Sequence, residues 1–358
     1  MPAIARHVPR KALFVAGFVL WGTFVASRFA ERSIGGIPVV ALELTGMNWL
    51  GTLFLLFVCL LAMDVATAFG FLFRRAAPSL RGWALLAGAL LAVVAMVQGL
   101  RPPVVENHEV TLPGLPPDAD GLVLVAVSDL HLGTLLDEGW LEARCGQIRA
   151  LRPDLVVFLG DIVEGHGRSP EAFLPSLRGL TAPLGVWAVS GNHESHGGNT
   201  PNSRLLTEAG VRVLRNRWAE ARPGLLLAGV EDLTSRRRSG QGGDPVGQAL
   251  AGRPPGAAIL LSHTPWEAEK GAAAGAGLML SGHTHAGQIW PLGYLVRLVY
   301  PLLAGRYEVG GMPVIVCRGT GTWGPRMRLW LPGEILRITL RSPGTSGFGF
   351  TPSGGSRH

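Results

Sequence analysis

Three cysteines in 358 residues, Cys59, Cys145 and Cys317, are too few and too scattered for a disulfide framework or a CxxC metal pair. Cys59 falls in an apolar run and the other two in segments with core spacing, so buried, inert thiols are expected. Charged residues are also scarce, at 16% of the chain. The net charge of +7 invites a nucleic-acid partner, yet between residues 105 and 341 the 22 Lys plus Arg are cancelled by 22 Asp plus Glu. The surplus sits before residue 105, nine basic against three acidic residues, and in Arg357. Basic residues placed that way flank apolar segments, which argues against nucleic acid and for a membrane. No internal repeat is present, which sets aside repeat architectures.

What the chain has in excess is apolar length. Apolar residues make up 47%, and most of the surplus lies before Pro102. Residues 12–27 form a run that reads either as a signal-peptide core or as a first membrane helix reaching residue 30. Residues 50–73 and 83–100 supply two further spans of bilayer length, with Trp49 at the entrance of the former. Three spans place Arg6, Arg10, Lys11, Arg74, Arg75 and Arg81 on the cytoplasmic side against Arg28, Arg32 and Arg101 outside, so everything after residue 104 is expected outside the cytoplasm. Residues 37–47, apolar but short and carrying Glu43, would reverse that orientation if they formed a fourth span. Asp64 falls near the middle of the second run, where a carboxylate is either functional or paired with a neighbouring helix.

From residue 122 the pattern becomes an α/β alternation. Short β-branched runs at 122–128, 155–159, 186–190, 225–230, 258–262, 277–281, 314–317 and 335–340 read as buried strands, and Leu141, Cys145, Ile148 and Leu151 fall at helical spacing between the first two. Residues 105–121 read as a linker or edge segment and 342–358 as a disordered tail. The expected organisation is thus a tail at 1–11, a membrane region at 12–104, a folded domain at 105–341 and a second tail.

Five of the strands run directly into polar clusters: Asp129-Leu130-His131, Gly160-Asp161, Gly191-Asn192-His193-Glu194, His263, and Gly282-His283-Thr284-His285. Each alone has an ordinary explanation as a turn, a cap or a surface histidine. Loops at the carboxyl ends of strands form the ligand crevice of α/β sheets, so five together imply one site. Carboxylates, imidazoles and a carboxamide without thiolate suit Mn, Fe, Zn, Co or Ni in a hydrolytic centre, and seven ligands suit two ions sharing a carboxylate. Gly282 is expected to let the chain leave the strand.

These five blocks, in this order, resemble the calcineurin-like metallophosphoesterase superfamily over residues 122–341. The frame around them, including Leu261-Ser262-His263-Thr264-Pro265 and Arg318-Gly319-Thr320-Gly321, is similar to its membrane-anchored bacterial branch. The resemblance implies two packed mixed β-sheets flanked by helices, preceded here by the helical membrane region. It also implies one divalent ion held by Asp129, His131, Asp161 and His285 and a second held by Asp161, Asn192, His263 and His283, which would put His283 and His285 on separate ions. His193 is left as general acid with Glu194 as its orienting partner. The expected activity is hydrolysis of a phosphomonoester or phosphodiester by hydroxide from a water bridging the metals, on a lipid-linked or cell-envelope substrate. A nuclease or nucleotide phosphodiesterase on the same fold, and a membrane sensor or scaffold with a vestigial site, are the alternatives.

Two stretches sharpen the substrate question. Residues 292–303 are apolar and aromatic apart from Arg297, and read as an ordinary buried helix or loop near the site, or as a segment that dips into lipid or grips an acyl chain. Arg236-Arg237-Arg238 reads as an exposed charge run in a loop, with a second phosphate as the alternative partner. His166 and His196 read as loop residues.

Overall fold

A computed structural model describes residues 10–30, 37–164, 169–195 and 201–344. His166, His196 and the tail from 345 onward lie outside the described residues. The α/β alternation closes into two six-stranded mixed sheets packed face to face. The first runs, in spatial order, β1 (Val104–Thr111), β12 (Glu334–Arg341), β2 (Val123–Val127), β3 (Leu155–Phe158), β4 (Val186–Ala188) and β5 (Arg212–Val213). The second runs β10 (Gly305–Val309), β11 (Met312–Val316), β9 (Leu278–Ser281), β8 (Ala257–Leu261), β7 (Leu225–Gly229) and β6 (Arg217–Arg222).

Side-chain alternation explains why these strands are apolar on both faces. Leu124 and Ala126 of β2 meet Ile259 and Leu261 of β8 in the core between the sheets. Val125 and Val127 point the other way, onto Leu141, Cys145 and Ile148 of helix α4 (Glu138–Ala150). Ala258 and Leu260 likewise leave β8 toward Val246 and Ala249. The Cys145 thiol is pushed up to about 11 by burial, and burial holds Cys317 well above its usual range, so both are inert.

Strands β2 to β5 are mutually parallel, as are β7, β8, β9 and β11. Their carboxyl ends therefore collect at one edge of the molecule. Of the two readings of residues 105–121, linker or edge segment, the first part is the latter: β1 is the edge strand of its sheet, parallel to β12 through Val105 and Ile335. Among its side chains only Val110 is buried, so an edge strand was written almost without an apolar pattern. The tail boundary also moves, since Ser342 is buried and donates from its amide to Asp120 Oδ1 at 2.9 Å.

Three helices precede the sheets: α1 (Arg10–Ala30), α2 (Ile37–Ala66) and α3 (Ala77–Gly99). The latter two are long and apolar enough to cross a membrane, while α1 carries the shorter apolar stretch Phe14–Ala26. The second helix differs from the expected 50–73. It starts at Ile37, absorbing the short apolar segment with Glu43, and stops at Ala66, where Ala68, Phe69 and Gly70 take left-handed conformations. Asp64 therefore lies at the helix end rather than mid-span, and its carboxylate accepts from Arg81 Nε at 2.7 Å.

The helices are seated on the domain. Leu55, Ala92 and Ala95 pack with Ile289, Met327 and Leu329. Backbone amides of Arg326, Arg328 and Trp330 donate to Asn48 Oδ1, the Ala95 carbonyl and Gln98 Oε1 at 3.0, 2.9 and 2.8 Å. The approach is close, because a Cβ on Gly99 would stand 2.5 Å from the Arg326 carbonyl oxygen. The loop receiving them is fixed by Arg328, whose buried guanidinium donates to the carbonyls of Arg318, Gly319 and Gly321 at 3.0, 3.0 and 2.6 Å. Arg328→Met should orphan those acceptors and cost roughly 3 kcal/mol in a chemical denaturation series, about 1 kcal/mol or more for each.

Candidate metal centre

All five strand-end clusters meet at the common edge. Asp129 and His131 follow β2, Asp161 follows β3, Asn192 to Glu194 follow β4, His263 follows β8, and His283 and His285 follow β9. Three groups within them bring donor atoms within 4.8 Å of one another: Asp129, His131 and His285; His131, Asp161 and His193; Asp161, His263 and His283.

Each of three histidines has one ring nitrogen anchored outward and the other aimed inward. His263 Nδ1 lies 2.8 Å from the Leu159 carbonyl, His131 Nδ1 lies 2.5 Å from Glu164 Oε1, and His283 Nε2 lies 2.8 Å from the Tyr300 hydroxyl. That leaves His131 Nε2 facing His285 Nε2 at 3.0 Å and His263 Nε2 facing His283 Nδ1 at 3.1 Å. Nitrogens that converge this way, with their outer partners fixed by the protein, are arranged as metal ligands are.

The carboxylates are divided in the same manner. Asp129 Oδ2 accepts the His283 amide at 3.0 Å and the Ser128 hydroxyl. Its Oδ1 is buried, accepts no hydrogen bond among the described residues, and lies 3.3 Å from His285 Nε2. Asp161 Oδ1 accepts the His193 amide at 2.9 Å, while Oδ2 lies 3.2 Å from His263 Nε2 and 4.0 Å from His131 Nε2. Oδ2 thus stands between two groups. An orphaned carboxylate oxygen, paired inward nitrogens and an all-oxygen-and-nitrogen donor set fit divalent cations. Asn192 opens the loop after β4 at the same edge and is buried.

The electrostatics follow from that crowding. Burial pushes Asp129 and Asp161 up, but the surrounding imidazoles outweigh it and hold both below the usual carboxylate range. Burial and the charge of His263 push His283 down to about 4. For His193 burial pulls down, yet its hydrogen bond to Glu164 and the charge of Asp161 raise it to about 9. These contacts favour the protonated form of His193. A divalent ion would take the place of the protons that the inward nitrogens otherwise share.

Backbone geometry carries part of the design. Asp129, His131, Asp161, His283 and His285 all adopt positive φ, between 48° and 71°. Non-glycine residues there cost on the order of 1 kcal/mol or more each, a strain that clusters at functional sites. The expected role of Gly282 is corrected by this: the histidines themselves make the left-handed turns. Gly282 is glycine because a Cβ would collide with Ser128 Oγ and stand 2.5 Å from Asp129 Oδ2.

Glu194 is not the orienting partner of His193. Its carboxylate is buried and accepts four backbone amides, from Asp161, Gly191, Ile162 and Val163 at 2.9, 2.8, 2.6 and 3.1 Å, tying the loops after β3 and β4 together. The orienting carboxylate is Glu164, whose Oε2 lies 3.0 Å from His193 Nδ1 while Oε1 holds His131. Sequence reasoning passed over Glu164, for which the only signal was a second acid three residues after Asp161. It also passed over Tyr300, the polar tip in the apolar stretch 292–303. That stretch is not a buried helix: its short helix Leu292–Val296 leaves Tyr294 and Leu295 exposed, as are Leu298 and Val299 beyond it. Nor are the arginines all a free run, since Arg236 pairs with the buried Glu231 and Arg237 lies over the Trp266 ring at 5.3 Å.

The family profile for calcineurin-like phosphoesterases matches residues 122–287, the span that contains every one of these clusters. Over 94% of this chain and 84% of its own length, a transmembrane protein with metallophosphoesterase domain from Bos taurus is 31% identical. The chain belongs to the calcineurin-like metallophosphoesterase family. A metallophosphoesterase from Aquifex aeolicus is 32% identical over 67% of this chain and 92% of its own. A transmembrane protein with metallophosphoesterase domain from Danio rerio is 35% identical over 72% of this chain, which spans 62% of that protein's length. The relatives thus extend beyond bacteria to vertebrates, and two of them are named as transmembrane proteins. This metallophosphoesterase has two apolar helices of membrane-crossing length ahead of its catalytic fold.

Glu164 supports two imidazoles at once. Glu164→Gln should lower metal affinity by about 10- to 100-fold, the usual cost of losing such a supporting carboxylate, measured by titration calorimetry on the full chain. Unchanged affinity would count against the support of His131.

Proposed function

We propose that the chain is a membrane-anchored, two-metal hydrolase of phosphomonoesters or phosphodiesters, with a lipid-linked or cell-envelope ester as its substrate class. The observation that carries the reading is the convergence of three His/Asp groups in which Asp161 Oδ2 is shared. Asp129, His131, Asp161 and His285 hold one ion; Asp161, Asn192, His263 and His283 hold the other. When bound, the two cations supply Lewis acidity, activating a water for attack on phosphorus and neutralising charge on the phosphoryl oxygens.

The chain's own groups supply the rest. His193, outside both ligand sets, stands beside Asp161 and donates its proton to the leaving oxygen as the bond to phosphorus breaks. Glu164 keeps that imidazole oriented and favours its protonated form. Three spans with the N-terminus in the cytoplasm, the arrangement favoured by the basic residues, place this site outside the cytoplasm. The transmembrane names of two relatives support the anchoring.

Full-length protein loaded with Mn²⁺ in detergent should hydrolyse 4-nitrophenyl phosphate or its bis ester. Asp161→Asn should abolish turnover and reduce bound metal together, read by elemental analysis; retained two-metal occupancy sinks the bridging role. His193→Ala should keep both metals and lose about 10²- to 10⁴-fold in rate on alkyl leaving groups but far less on 4-nitrophenolate. An equal loss on both classes would remove His193 from the general-acid role.

A further inference from the structure

A cavity of about 280 Å³ begins at the metal centre, where His131 and Glu164 line it, and continues between the catalytic loops and the N-terminal helices. Its far walls are mostly apolar, with Leu135 and Leu136 after β2, Trp323 from the loop after β11, and Phe24, Met47 and Leu50 from α1 and α2, interrupted by the hydroxyls of Thr134 and Thr322. Glu43 of α2 adds a single carboxylate to that side. We infer that the phosphoester carries one hydrophobic chain, and that this chain lies in the cavity between the helices and the loops while its phosphate sits on the metal centre. The inference rests on the phosphoesterase reading and adds to it the single hydrophobic chain and the place where that chain lies.

Three observations commit the site to that occupant. One end of the cavity is lined by His131 and Glu164, so a chain lying in it is within reach of the donors that would receive the phosphate. A sugar or nucleotide would bury hydroxyls against leucines and tryptophan with few partners, whereas a chain gains binding by roughly fourfold for each methylene removed from water. The volume is near the lower end of the roughly 300–1,000 Å³ found for ligand pockets, room for part of one chain rather than a whole lipid.

The surroundings put the cavity at bilayer level. Helix α2, with 30 residues, is about 45 Å long and exceeds the hydrocarbon thickness of about 30 Å. The half of it nearer its N-terminus carries Glu43, Met47, Asn48 and Leu50 against the domain. Trp290, Trp323 and Trp330 are exposed on the loops beside this seat, with Leu295 and Leu298 on the neighbouring segment. Exposed tryptophans flanking apolar helices mark the membrane–water boundary. A chain anchored in the bilayer therefore reaches the cavity without leaving an apolar environment, and its phosphate arrives at His131.

The test uses the full chain in phosphatidylcholine nanodiscs with Mn²⁺ and two diesters sharing one leaving group, methyl and dodecyl 4-nitrophenyl phosphate. Wild type should favour the dodecyl ester in kcat/KM by at least about tenfold, the gain from two or so buried methylenes. Leu50→Trp and Met47→Trp, which fill the cavity from α2 at two places, should remove most of that preference and leave methyl-ester turnover within about twofold, which also reports that the variants fold. Equal use of both esters by wild type overturns the inference while leaving the phosphoesterase reading intact. A preference that survives both substitutions also overturns it, because it then reflects partition into the bilayer alone. Loss of turnover on both esters by metal-loaded wild type brings down the phosphoesterase reading and the inference together.

Discussion

The structure depends on holding buried imidazole nitrogens face to face. His131 and His285, and His263 and His283, approach within about hydrogen-bond distance through nitrogens whose lone pairs compete for one proton or one cation. Left to themselves, such rings would turn toward other partners. They are prevented because the opposite nitrogen of each anchored ring is held by a carbonyl, a carboxylate or a phenol. The two sheets supply those anchors: Leu159 follows β3 of one sheet, and His263, which it holds, follows β8 of the other. Sheet packing and ligand geometry are thus one constraint, and the core between the sheets sets the spacing of the donors.

The loops pay for the arrangement in backbone strain. Five donor residues in left-handed conformations follow directly on strands that are regular and fully buried. Glu194 offsets part of that strain by accepting four amides of the loops that place Asp161 and Asn192. Gly191 and Gly282 let neighbouring loops cross where a Cβ would strike Asp161 or Ser128. Rigidity at this edge is built from the main chain outward, with side chains acting as its fasteners.

Much of this was legible in the sequence, and unevenly so. Strands buried on both faces announce themselves as apolar runs, and each functional cluster directly follows one, so the sheets, the edge and the convergence could be read. β1 could be read only as a linker or an edge segment, because an edge strand with one buried side chain carries almost no pattern. The end of α2 escaped for a related reason: nothing in Thr67 to Phe73 is charged, and the helix stops on backbone conformation. Glu194 and Glu164 were confused because chain proximity favours the former, while the fold brings the loop after β3 back under His193. Gly282 was recognised as necessary, but the reason lies with the strand beside it, which no local pattern records.

The seat formed by Ile289, Met327 and Leu329 bears on how the enzyme can be handled. Cutting the chain at residue 104 to obtain a water-soluble catalytic fragment would uncover that apolar seat and strand the amides of Arg326, Arg328 and Trp330 without their acceptors. The Arg328 loop is fastened from both sides, so slackening one side loosens the floor on which Thr320 and Gly321 meet Ser128 and Asp129. The helices are in this sense a structural wall of the enzyme, and a preparation without them is a different object.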